Sequence, residues 1–288
     1  MEKTDNNKIS SWWLLVPTSF LYLITFFIPL ITLLVMSFSR FESSVTTLGF
    51  YLDNYEKILT DGITLKIFFQ TVELSLMITL FCLLLGYPVA MLMRRVGPKA
   101  RLWILLLVVS PLLTSIIVRN VAWVLILGRS GMINDLLISW GLISKPLPLM
   151  YNTFGVVLAV VHVYLSFMVL PLFAALSSIN NSLEEAAASL GAKPLSIFLS
   201  VTLPLSLPGI MAGCTLVFIL SMGVYLTPVI MGGNFVVTLP MLIEDAVRNR
   251  YNWPEASAMA LLLLIAIGIM IVISSSIQKR VNKLFSQS

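Results

Sequence analysis

Residues 181–194 read Asn181-Ser182-Leu183-Glu184-Glu185-Ala186-Ala187-Ala188-Ser189-Leu190-Gly191-Ala192-Lys193-Pro194. The stretch describes a short, self-contained helix. Ser182 followed by Glu185 has the spacing of a capping box. Gly191 suits the left-handed position just past a helix end, and Pro194 follows where a helix cannot continue. Leu183, Ala186, Ala187 and Leu190 recur at i, i+3, i+4 and i+7, which makes one apolar stripe, small at its middle. A helix of about eight residues is marginal in water by itself. It needs a partner, either the chain's own helices or a separate subunit.

On both sides of this stretch the chain is too apolar for water. Of 288 residues, 58% are hydrophobic and only 11% charged; soluble domains run at about 45–50% and about 25%. So few charges cannot cover a soluble surface, which excludes a water-soluble enzyme and a nucleic-acid-binding domain. The hydrophobicity equally excludes disorder. The fold class is therefore all-α and polytopic in a membrane, the formal charge of +5 being explained by basic residues at the membrane edges. A β-barrel would need strands of about ten residues with alternating polarity.

A hydrocarbon core of about 30 Å needs about 20 apolar residues in a helix. Six segments qualify: residues 12–38, 68–92, 102–127, 153–176, 205–231 and 256–275. The first is about twice as long as the apolar core of a signal peptide and reads as a retained helix, although Ser37-Phe38-Ser39 loosely resembles a cleavage site. With both termini cytoplasmic, inside positions hold ten cations: Lys3, Lys8, Arg94, Arg95, Lys99, Arg101, Lys193, Lys279, Arg280 and Lys283. Outside positions hold seven: Arg40, Lys57, Lys66, Arg129, Lys145, Arg248 and Arg250. The dense Arg94–Arg101 cluster decides the orientation. The 181–194 helix then lies in the cytoplasm, between the fourth and fifth spans. No composition shift marks a second domain, so 1–288 reads as one transmembrane domain. Around Asn134–Trp140 the outer loop carries a short interfacial helix.

The spacing Glu185-Ala186-Ala187, three residues, Gly191, nine residues, Val201-Thr202-Leu203-Pro204 resembles the EAA loop of bacterial ABC importer permeases. Val201 stands where that pattern usually has Ile. Leu207-Pro208-Gly209-Ile210-Met211-Ala212-Gly213, Tyr225-Leu226-Thr227-Pro228, Met231-Gly232-Gly233 and Asn252-Trp253-Pro254 look like the spermidine/putrescine-type subgroup. So do Ala256-Ser257-Ala258, Val118-Arg119-Asn120 and Leu85-Gly86-Tyr87-Pro88. The resemblance implies a type I importer permease in the bacterial inner membrane. Its 182–191 coupling helix would dock into an ATP-binding subunit through Leu183, Glu185, Ala186, Ala187, Leu190 and Gly191. It also implies a second homologous permease, two copies of the ATP-binding subunit, and a periplasmic or external substrate-binding protein. ATP and Mg would sit on the ATP-binding subunit, since this chain has no G-x-x-x-x-G-K-[ST] loop; it would hold no cofactor and catalyse no reaction itself.

Ionisable residues inside a span are costly and face a partner or a water-filled cavity. Glu73 and Arg119 lie roughly 8 and 12 Å from the outer ends, at 1.5 Å per residue. They are on successive helices, so they are candidates for a structural ion pair or for the translocation path. With one carboxylate and a handful of aromatics, among them Trp123, Tyr164 and Tyr225, the spans do not offer a strong cation site; Trp123 and Tyr225 join Glu73 and Arg119 as path candidates. Outside, Glu244 and Asp245 are candidates for docking the binding protein or are simply solvated. Gly209 and Gly213 form a GxxxG element that admits a close helix neighbour, either in this chain or in a second permease. Cys82, Cys214 and His162 are scattered in apolar runs and point to no disulfide or metal site. The competing classes are a secondary transporter, which would place acidic residues mid-span for ion coupling, an intramembrane enzyme and a channel.

Overall fold

A computed structural model describes residues 12–286. In chain order the helices are α1 (Trp12–Ser37), α2 (Asp53–Thr60), α3 (Gly62–Arg95), α4 (Pro98–Val109), α5 (Ile116–Leu127), α6 (Met132–Ser139), α7 (Thr153–Ser178), α8 (Asn181–Ser189), α9 (Pro194–Ile197), α10 (Leu203–Met222), α11 (Leu239–Arg248) and α12 (Trp253–Ser286). Six helical stretches are long and apolar enough to cross a membrane. Lys3 and Lys8 of the orientation argument lie outside the described residues.

The chain forms two compact units. The first comprises residues up to Asp61 together with Ile243–Leu262. In it, the end of α1 is tied down by Asn54, whose amide donates to the carbonyls of Ser37 (3.0 Å) and Ser39 (2.7 Å). A hairpin pairing Arg40–Glu42 with Val45–Thr47 follows, an element the hydropathy pattern does not reveal. Glu255, 6% exposed, accepts from Lys57 at 2.9 Å and Arg250 at 2.7 Å. Asn252 caps α12 by accepting from the Glu255 amide at 3.1 Å and donates back to its carboxylate at 2.7 Å. A buried carboxylate is tolerable only with such partners.

The second unit is built on three helices, α3, α7 and α10. Leu74, Ile78, Cys82, Met93, Met168, Val169, Leu172, Leu176 and Val217 form its core. The glycine spacing on α10 meets α7 of the same chain: a methyl group on Gly209 would lie 2.5 Å from Ala175 Cβ and 2.8 Å from the Pro171 carbonyl oxygen. One on Gly213 would lie 2.7 Å from Met168 Sδ. The GxxxG element is therefore an internal packing surface. Cys82 is fully buried among these apolar side chains.

Two spans depart from the expected boundaries. The expected continuous helix over 102–127 is broken: α4 stops at Val109, Ser110–Leu113 form a 3-10 turn, and α5 begins at Ile116. Pro111 is the cause, since it lacks an N–H and clashes with the preceding turn. Twelve residues in α4 rise only about 18 Å, so the crossing here is Ile116–Ser139. The fifth span, expected at 205–231, runs instead over Pro194–Met222. Pro204 cannot donate to the carbonyl four residues back, and Phe198–Thr202 widens into a π-turn in which the Leu203 amide donates to the Phe198 carbonyl. At the other end the helix stops at Met222, where Gly223 (φ −92°, ψ 4°) leaves the helical region. Met132–Ser139, expected as a short interfacial helix over 134–140, is helical as α6 and falls within the Ile116–Ser139 crossing.

Candidate functional site

α8 sits between α7 and the helical run 194–222. Its N-cap is Asn180, whose side chain accepts from the Ser182 amide at 3.1 Å. The Ser182–Glu185 capping box does not form, because the helix begins two residues earlier than that pairing requires. The C-terminal signals act as expected. Gly191 has φ +83°, and the chain closes with Ala192 N donating to Ala187 O (3.1 Å) and Gly191 N to Ala188 O (2.9 Å), a Schellman end.

None of the α8 residues is fully buried. Leu183 is 48% and Leu190 89% exposed; Ala186 and Glu185 are exposed and Ala187 is half-buried. The expected stripe is thus largely unoccupied by this chain. The Glu185 carboxylate makes no hydrogen bond or ion pair among the described residues.

Its neighbour Glu184 turns the other way. Its Oε1 accepts from Arg94 Nη1 at 2.6 Å and from Thr202 Oγ1 at 2.9 Å. Arg94 also donates to Asn181 Oδ1 (2.8 Å) and to the Ile179 carbonyl (3.3 Å). Burial pushes the Glu184 carboxyl up, but the donors Arg94 and Thr202 and the charges of Arg94 and Arg95 outweigh it, so the group is held below the ordinary glutamate value. The lower end of α3 is closed by Arg101, which donates to the carbonyls of Met93 (2.9 Å) and Val96 (3.3 Å). Tyr87 on α3 shares a 2.9 Å hydrogen bond with Ser206 on α10. Arg94, Arg95, Asn181, Glu184, Glu185 and Ala188 line a cleft of about 470 Å³. Sequence reasoning missed Glu184 and Arg94 as a pair. Arg94 belongs to a basic cluster whose evident meaning is orientation, and Glu184 stands beside the motif's own glutamate.

Of the path candidates, Arg119 and Trp123 are one helical turn apart on α5 and Glu73 is on α3. Glu73 and Arg119 form no ion pair. Arg119 instead donates to the carbonyls of Pro111 (3.0 Å) and Thr114 (3.4 Å), acceptors left over by the break it borders. Trp123 lies edge-on to His162 with centroids 5.6 Å apart. Tyr225 is half-buried near the break that ends the fifth span. Glu73 is exposed and shares one face of α3 with Lys66 and Gln70, at i, i+4 and i+7. These three, with Asn234, Phe69 and Phe235, line an open cleft of about 760 Å³.

A short, exposed, well-capped helix thus stands between the fourth and fifth candidate spans. Residues 83–287 match the family described as binding-protein-dependent transport system inner membrane component, and the chain belongs to that family. It is a multi-pass inner-membrane permease and a translocation component rather than an enzyme. The chain is 32% identical over 98% of its length to the spermidine/putrescine transport system permease protein PotB of Haemophilus influenzae, covering 98% of that protein. It is 31% identical over 89% of its length to the protein of the same name in Escherichia coli K12, covering 94% of it. A bacterial alginate ABC transporter, crystallised with its alginate-bound periplasmic protein, contains a chain of the same fold: TM-score 0.79, 19% identity, coverage 98% of this chain and 99% of that one.

Proposed function

We propose that this chain is a membrane subunit of an ATP-driven importer that moves a polyamine such as spermidine or putrescine into the cytoplasm. An external binding protein delivers the solute. A second homologous permease completes the pathway, since six helices rarely enclose one, and two copies of a separate ATP-binding subunit, carrying ATP and Mg, drive it. The whole chain works as one translocation domain with both termini in the cytoplasm. The observation that carries this reading is α8: an ordered helix that leaves its Leu183–Leu190 side to solvent is built to be covered by something else. The polyamine assignment is supported by the relatives that match along nearly the whole chain.

Within this reading Leu183, Glu185, Ala186, Ala187 and Leu190 supply the docked face, and Gly191 ends it. Glu73, a carboxylate without an ion-pair partner among the described residues, takes an ammonium group in the outer cleft, while Trp123 and Tyr225 offer ring faces deeper in the span. Arg119 borders the path and holds the break at Pro111 closed. The test is reconstitution of the complete transporter in vesicles. Uptake of putrescine and spermidine should require ATP and persist when ion gradients are dissipated, and unrelated solutes should not be taken up. Ala187→Trp should abolish association with the ATP-binding subunit while the membrane part stays folded. Gradient-driven uptake, or full association of the Ala187→Trp chain, overturns the proposal.

A further inference from the structure

We propose that Glu184 is a positioning residue that delivers movement of α8 to two membrane helices at once: α3, through Arg94, and α10, through Thr202. The inference rests on the reading of α8 as the docking helix for the ATP-binding subunit.

The argument begins with what α8 lacks. It buries no residue of its own, so it does not push on the membrane helices through a packed apolar face. Its backbone runs into α7 through Ile179 and Asn180 and into the 194–222 run through Gly191–Lys193. The link across Gly191–Lys193 contains the left-handed turn at Gly191 and no helical residue. No backbone joins α8 to α3, whose near end is 86 residues away in sequence. Arg94 bridges that gap. Its guanidinium holds the Glu184 carboxylate, the Asn181 side chain and the Ile179 carbonyl together, grasping both the helix and the stretch of chain leading into it. A guanidinium fork with several donors fixes orientation as well as distance.

The second arm is Thr202, which is 3% exposed. It lies in the π-turn that Pro204 imposes at the head of α10, so the proline closing the motif shapes the turn whose hydroxyl reaches Glu184. Both arms end on the same carboxylate oxygen, Oε1. Arg94 is 13% and Glu184 27% exposed at the side chain, so water competes poorly for either. The two adjacent glutamates thereby divide the labour: Glu185 is left to the docking partner, and Glu184 faces inward to α3 and α10.

The experiment uses the complete reconstituted transporter and reads ATP hydrolysis, substrate uptake and subunit association from the same preparation. In Glu184→Gln and Arg94→Gln, association with the ATP-binding subunit should remain, hydrolysis should remain within about threefold, and uptake per ATP hydrolysed should fall at least tenfold. The exchange variant Arg94→Glu with Glu184→Arg should regain a substantial part of that ratio, which a general loss of folding would not allow. An unchanged uptake-to-hydrolysis ratio in both single variants overturns the proposal. So does loss of association in Glu184→Gln, which would place Glu184 in the docking surface itself. Failure of the unaltered chain to associate with an ATPase at all would sink the underlying reading and is seen separately in the same assay.

Discussion

Gly209 and Gly213 show how single residues set the spacing of this fold. Each lets α10 approach α7 so closely that a side chain would collide: the Pro171 carbonyl oxygen is 2.8 Å from where a Gly209 Cβ would sit. Gly209→Ala should cost about 1–3 kcal/mol through overpacking and lower the thermal unfolding midpoint in detergent. Gly268→Ala is the control, because nothing lies within 4 Å of that position. It should leave the midpoint unchanged or raise it, a helical alanine gaining up to about 1 kcal/mol over glycine. Arg119 teaches a related lesson. A charge inside a span suggests a substrate or a counter-charge, yet its partners are the Pro111 and Thr114 carbonyls. An unmade hydrogen bond in a dry environment is expensive, so a break in one helix consumes the nearest donor.

At the scale of elements, α8 depends on its ends. Asn180→Ala removes the N-cap and should destabilise the helix by about 0.5–2 kcal/mol, read as faster amide exchange over 181–189. The tie to Arg94 adds a pH dependence. The Glu184 carboxyl lies below its ordinary value in the folded chain, so the folded state binds its proton less readily than the unfolded state does. The stabilisation is present in full above the unfolded value, about 4.3, and is lost as pH falls through the folded value. Protection of α8, corrected for intrinsic exchange, should hold from pH 7 to about 5 and then decline in more acid solution; in Glu184→Gln that acid decline should be absent. The ends of α8 are legible in the sequence because capping, a glycine stop and a following proline act within a few residues. The breaks at 110–115 and 223–225 are not. Prolines are tolerated in many membrane helices, and Pro17, Pro29 and Pro88 sit inside unbroken ones here.

For the whole molecule the decisive quantity is transport. Glu73→Gln removes the carboxylate from the open cleft beside Lys66 and Gln70 while keeping its shape. If an ammonium group pauses there, the lost interaction is about 1 kcal/mol. Uptake of spermidine below saturation should then fall about fivefold, with Glu73→Asp retaining most of it. Uptake unchanged in Glu73→Gln would remove this residue from the path. An assembled transporter also has to cover surface that the lone chain leaves bare. The most apolar stretch of α1 has no buried residue, and an apolar helix of that kind faces lipid or another subunit.

Hydropathy, charge placement and local stop signals are properties of neighbouring residues along a line. They are therefore enough to establish a polytopic helical membrane protein, roughly where it crosses, and the existence of a short helix between the fourth and fifth crossings. The choice of which glutamate turns inward, the partner of the glycine pair and the fate of Arg119 lie beyond that reach. Each depends on groups brought together by the folded chain, Arg94 with Glu184 and Pro171 with Gly209, and only packing in three dimensions decides which donor meets which acceptor.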